Sequence, residues 1–122
     1  MIRRFVVPVT ADASGDATVY SPSIYGKLAS IRYVKDDFAD GVDFVVTAET
    51  TGETLWSEEN VNASASRYPR APTHSQAGVA ALYAAAGTGV FDMISLGGDR
   101  VKIVVASAGN ATSGTFHITI DG

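Results

Sequence analysis

Thr115-Phe116-His117-Ile118-Thr119-Ile120-Asp121 carries the fold in its alternation. Side chains of an extended chain point to opposite faces in turn. Phe116, Ile118 and Ile120 therefore share one face, and Thr115, His117, Thr119 and Asp121 share the other. An apolar face backed by a polar one marks a strand half covered by a core. The same period of two recurs upstream. Within 100–106, Val101, Ile103 and Val105 point one way. Within 42–49, Val42, Phe44 and Val46 alternate with Asp43, Val45 and Thr47. Within 27–35, Ala29, Ile31 and Tyr33 alternate with Ser30, Arg32 and Val34. Further strands are expected at 2–9 and 53–58.

Turn residues punctuate these runs: Asp12 to Gly15, Asp40-Gly41, Thr51-Gly52, Gly97-Gly98-Asp99, and Gly109 to Gly114. About eight strands joined by short turns give an all-β domain, an antiparallel β-sandwich or a jelly-roll-like barrel. The length of 122 residues fits one domain, 1–122. Two stretches break the rhythm. Residues 60–78 hold small residues, two prolines and no apolar period, and read as a long contact loop. Val79 to Ala86 is rich in alanine and reads as a short helix, with a further strand as the alternative.

Composition narrows the function classes. Charged residues make up 18% of the chain, against about 25% in an ordinary globular protein. Few repulsive charges suit a surface packed against partners, although a β-rich composition alone gives the same figure. The net charge of −4 provides no global basic field, so direct nucleic-acid contact is not expected. No cysteine is present, which excludes disulfides, thiolate nucleophiles and cysteine metal sites. The first residues lack the apolar core of a secretion signal. No apolar run approaches the ~20 residues of a membrane-spanning helix. Synthesis in the cytoplasm without membrane association is the expectation.

The residues that could do chemistry do not cluster in sequence. His74 and His117 are the only histidines and stand in no metal-binding spacing. No nucleophile-elbow pattern surrounds any serine. Asp36-Asp37 and Glu58-Glu59 are adjacent pairs, so on strands they face opposite ways and share no proton. A calcium site from Asp36, Asp37 and Asp40 would lack the familiar loop spacing. No catalytic, cofactor or metal residue is assigned, and an enzyme is not expected. Arg67-Tyr68-Pro69-Arg70 interleaves an aromatic ring with two cations, the residue types favoured at protein interfaces. With the pair Arg3-Arg4 and the loop residue His74, the candidate partner-binding set is Arg3, Arg4, Arg67, Tyr68, Arg70 and His74. Trp56, the sole tryptophan, is expected in the core or at a subunit contact.

Several of these stretches carry a resemblance. They are Ser23-Ile24-Tyr25-Gly26-Lys27-Leu28, Ile31 to Phe38, Gly41-Val42-Asp43-Phe44, Thr50 to Trp56, Gly98 to Val104, and Gly114-Thr115-Phe116. Together they resemble small β-sandwich structural proteins of tailed bacteriophages and prophages, over roughly residues 15–120. The resemblance implies a non-enzymatic virion component without cofactors, made in the host cytoplasm. Its first candidate role is a capsid decoration (cement) protein at capsomer junctions. Its partners would be the major capsid protein or other virion proteins, and further copies of itself, a trimer being one option. The alternatives are a head–tail connector or tail component, or a receptor- or carbohydrate-binding β-module using Trp56, Tyr68 and Tyr83. In the decoration role the strand or arm at 1–9 and the 60–78 loop are the expected contact elements, and such an arm can add a strand to a neighbour's sheet.

Overall fold

The run that decides the fold becomes the penultimate strand of the larger sheet. The computed structural model describes residues 1–82, 87 and 89–122. Among them lie ten strands and no helix. They are β1 (Ile2–Thr10), β2 (Ala17–Tyr20), β3 (Ile24–Lys35), β4 (Val42–Ala48), β5 (Thr54–Val61), β6 (Ala65–Arg67), β7 (Arg70–Pro72), β8 (Phe91–Asp99), β9 (Val101–Ala106) and β10 (Ser113–Asp121). One sheet has the order β1-β10-β3-β8-β7, with β6 also pairing β3; the other has the order β2-β9-β4-β5. Every pairing is antiparallel, and the two sheets pack face to face as a β-sandwich.

The core forms where the apolar faces meet. Phe116, Ile118 and Ile120 of β10 are fully buried against Val101, Ile103 and Val105 of β9 and Val42, Phe44 and Val46 of β4. An aromatic cluster occupies one part of it. The Phe116 ring lies 5.1 Å from Phe44, 5.3 Å from Tyr33 and 6.5 Å from Trp56, between centroids. Phe44 and Trp56 meet edge to face at 4.7 Å, a geometry that aromatic quadrupoles favour. Trp56 is thus a core residue. Phe38, from the β3–β4 connection, stacks on Tyr33 at 6.1 Å.

Five expectations need correction. The strands number ten rather than about eight. Ala29 does not face the core: opposite β10, Leu28 pairs Ile120 while Ser30 pairs Thr119, so Ala29 is an extra residue in a β-bulge. The bulge reverses the phase of β3, which buries Ile24 and Leu28 before it and Ile31 and Tyr33 after it. Residues 60–78 are not one long loop, because they hold the end of β5, all of β6 and β7, and a turn at Gln76-Ala77. The segment 79–86 is not helical where it is described: Ala80 bridges His74 and Leu82 bridges Gly89, while 83–86 lie outside the described residues. The expected turn at Gly97-Gly98-Asp99 belongs to β8, where Gly98, at φ +77°, is the extra residue of a second bulge opposite Ile24 and Tyr25.

Two polar features fix one end of the sandwich. Asp99 is buried, and its Oδ1 accepts the amides of Thr50 (3.0 Å) and Arg100 (2.9 Å). These backbone donors hold its carboxyl below the usual range. Glu49 receives a forked pair from Arg100 at 2.5 Å, which lowers the carboxyl pKa in the same way. The Arg100 guanidinium also lies 4.3 Å from the centre of the Tyr20 ring.

The Tyr33 hydroxyl is buried without a hydrogen-bond partner among the described residues. Burial, then the charges of Asp36 and Asp40, push its pKa up to about 12. The folded chain thus disfavours the phenolate more than the unfolded chain does. The stability tied to neutral Tyr33 is full below pH 10 and is lost as pH rises towards 12. Tyr33→Phe removes the orphaned hydroxyl and should raise stability by about 1 kcal/mol at neutral pH. Urea unfolding at pH 8 and at pH 11 checks both points: the variant should lose less stability than wild type between them, and equal losses would contradict the assignment.

Candidate partner interface

The six residues picked from sequence fall into two groups. In the larger sheet β1 and β7 are opposite edges, separated by four inter-strand steps. At about 4.8 Å per step, Arg3 and Arg4 stand about 19 Å from Arg70. Arg3 reaches under the sheet end and donates to the Tyr25 carbonyl at 3.3 Å. Arg4 is exposed and in register with Thr119.

The residues of the second group have different roles. Arg67 is engaged inside the chain: its guanidinium forks onto Glu58, with bonds of 2.9 and 3.0 Å from Nη2, and lies 5.3 Å from the centre of the Trp56 ring. Trp56 Nε1 donates to the same Glu58 carboxylate at 3.1 Å. The cluster ties β6 to β5, so Arg67 helps position the strand. Arg70 donates to the carbonyl of Ala29, the bulge residue, at 3.1 Å, and to Pro69 at 2.8 Å. Tyr68, just before β7, is 66% exposed. His74 is exposed and bridges Ala80.

Tyr68, Arg70 and His74 stand at or on an arm that leaves the sandwich. β7 pairs the first residues of β8, with Pro72 opposite Phe91. The ladder continues beyond them: Thr73 donates to Val90 (2.7 Å), Ala81 donates to Thr73 (2.7 Å), and Ser75 donates to Val79 (2.8 Å). Ile94 and Leu96 of β8 face the core, whereas Asp92 and Val90, in the same phase, are exposed. The second sheet therefore does not extend over this part of the chain. Among the described residues of the arm, Val79, Leu82, Val90 and Phe91 are the exposed large apolar side chains. None of the four was among the candidates picked from sequence, because no apolar period runs through this stretch of alanines and glycines to mark a face.

Register also places Arg4, Lys27, Arg32 and Arg70 on the outer face of the larger sheet, around His117. None of these four cations is in an ion pair among the described residues; the pairs there are Lys35–Asp40, Arg67–Glu58 and Arg100–Glu49. Lys27 and Arg32 escaped selection because they were read as ordinary outward positions of a strand, and only the pairing of β3 with β10 brings them near Arg4.

Asp36, Asp37 and Asp40 are engaged separately. Asp36 accepts from the Thr115 hydroxyl, Asp37 from the Ser113 amide, and Asp40 from the Lys35 ammonium. Among the described residues no three His, Cys, Asp or Glu side chains are grouped to hold a metal ion, and no helix is long and apolar enough to cross a membrane. Tyr83, the third aromatic considered for a glycan platform, lies outside the described residues, and Trp56 is in the core. Neither the scan against protein-family models nor the search of curated proteins finds a match to this chain.

Proposed function

We propose that this chain is a non-enzymatic structural subunit of a bacteriophage virion, a capsid decoration protein that binds at capsomer junctions beside further copies of itself. The resemblance quoted above supplies the particle. The observation that supports a contact role is the arm, which exposes Val79, Leu82, Val90 and Phe91 beyond a sandwich whose own core is closed. Exposed apolar side chains grouped on a projecting element, with polar residues around them, are a feature of protein–protein contact sites. Many weak contacts of this kind, repeated over a lattice, hold a particle through multivalency and mass action.

Leu82→Ser combined with Phe91→Ser tests the role of the arm. Both side chains are exposed, so each change should move folding stability by no more than about 0.5 kcal/mol. Binding to phage heads stripped of accessory proteins should weaken by about tenfold or more, as for interface anchors worth over 1 kcal/mol. Unchanged binding, or unfolding of the double variant, contradicts the role given to the arm.

A further inference from the structure

Among the described residues β1 is the longest sheet edge, and its backbone is addressable. Its register with β10 runs without a shift from Ile2–Asp121 to Thr10–Ser113. Beyond the two ends, Gly122 donates to the Met1 carbonyl (3.0 Å) and Ala11 donates to the Thr112 carbonyl (2.8 Å). In an antiparallel ladder the N–H and C=O of one residue point the same way, and successive residues alternate. Odd-numbered residues of β1 therefore pair with β10. The backbone groups of Ile2, Arg4, Val6, Pro8 and Thr10 point away from the sheet. Pro8, which has no N–H, stands at a position where that donor would have faced outward, as expected for proline in an edge strand.

The other edges are short or broken. β2 has four residues and β7 has three. β5 is interrupted near both ends, with register shifts between Val46 and Thr47 and between Val42 and Phe44 of its partner β4. Short strands, bulges and prolines block unwanted pairing. From Ile2 to Val6, β1 has no break, bulge or proline, and its only guards are the charges of Arg3 and Arg4, which turn away cationic strands but not acidic ones.

We infer that the Ile2–Val6 edge of β1 accepts an extended segment of another protein, added as an antiparallel strand, with an acidic residue opposite Arg4 and apolar residues opposite Ile2 and Val6. Ile2 and Val6 are 63% and 55% exposed and flank Arg4 on the outer face. Arg4 makes no ion pair among the described residues. Nearby on that face Lys27 and Arg32, neither in an ion pair among the described residues, outnumber Asp121, the carboxylate in register between Ile2 and Lys27, and favour the acidic segment further. A second copy of this strand fits poorly. Centred on Arg4, self-pairing sets two guanidinium groups side by side, which is unfavourable. Sliding the copies one way puts Ile2 opposite Pro8, which has no donor; sliding them the other way puts Arg4 opposite Ile2, with no acidic partner for it. The inference stands on the register and needs no capsid.

The test uses the intact chain, amide-resolved NMR and the peptide acetyl-Thr-Val-Thr-Glu-Thr-Val-Thr-amide. The Arg4 and Val6 amides should exchange rapidly in the free chain, then shift and slow on titration, with Val7 and Val9 protected throughout. The same peptide with Lys in place of Glu should bind at least tenfold more weakly, and Arg4→Glu should reverse that preference. Val6→Pro removes an outward donor, as Pro8 does, so it should leave the β10 amides in place and abolish binding. The inference is overturned by no binding, by equal binding of the two peptides, by a response at the odd-numbered amides, or by Val6→Pro retaining binding. It is equally overturned if Val6→Pro unfolds the chain, since the Val6 N–H would then belong to the β10 ladder.

Discussion

Phe116→Ala should lower the stability of the chain by about 3–5 kcal/mol. Phe116 is fully buried on β10 and touches three other rings, from β3, β4 and β5. Truncation forfeits the transfer of a phenyl ring out of water and opens a space that the walls cannot close. Those walls are strands held in register on both sides of β10, so backbone collapse is limited. A domain of this size has a total stability of about 5–15 kcal/mol, so the variant should sit near the folding threshold. Urea unfolding, followed by the fluorescence of Trp56, measures the effect directly. A loss below about 1.5 kcal/mol would mean that the site relaxes, and that the ring cluster is not the mechanical centre of the sandwich.

Gly114→Ala should lower stability by about 1–3 kcal/mol although it adds one methyl group. Gly114 is the second residue of β10 and is buried beneath the Phe38 ring. A Cβ there would stand 2.5 Å from Phe38 Cε2 and 2.7 Å from Cδ2. The ring has nowhere to retreat, because Phe38 is 1% exposed and stacked on Tyr33. The glycine is therefore required by close packing rather than by an unusual backbone angle. The double variant Gly114→Ala with Phe38→Leu provides the control. If the clash is the cause, the two changes should be less harmful together than the sum of their separate effects, by about 0.5 kcal/mol or more. Simple additivity would contradict the assigned contact.

Much of this fold was legible because one face of each long strand is buried and the other is wet. β10, β9 and β4 alternate without interruption, and their buried residues are those the period picks out. What was hidden is set by tertiary pairing. Nothing in Leu28-Ala29-Ser30 announces that Ala29 will be an extra residue, because a bulge depends on the partner strand. Leu55 and Trp56 are adjacent and both buried, which only the register shift beside them explains. β6 and β7 are three residues each and lack apolar periodicity; they are strands because β3 and β8 offer them edges.

The candidate site divided along the same line. Tyr68 was picked as an aromatic ring between two cations and His74 as a loop histidine; both are exposed. Arg67 met the same compositional criterion, yet it is committed to Glu58 and Trp56, which only the folding of β6 over β5 brings within reach. The segment 1–9 was read as a strand or a free arm. It is a paired edge strand, and that pairing decides which of its amides are available.

The most direct test of the virion reading is co-sedimentation of the purified chain with phage heads stripped of their accessory proteins. The account predicts saturable binding at a fixed ratio per capsomer, with the unbound chain remaining in the supernatant once sites are filled. Failure to sediment with heads at any concentration would contradict the decoration role.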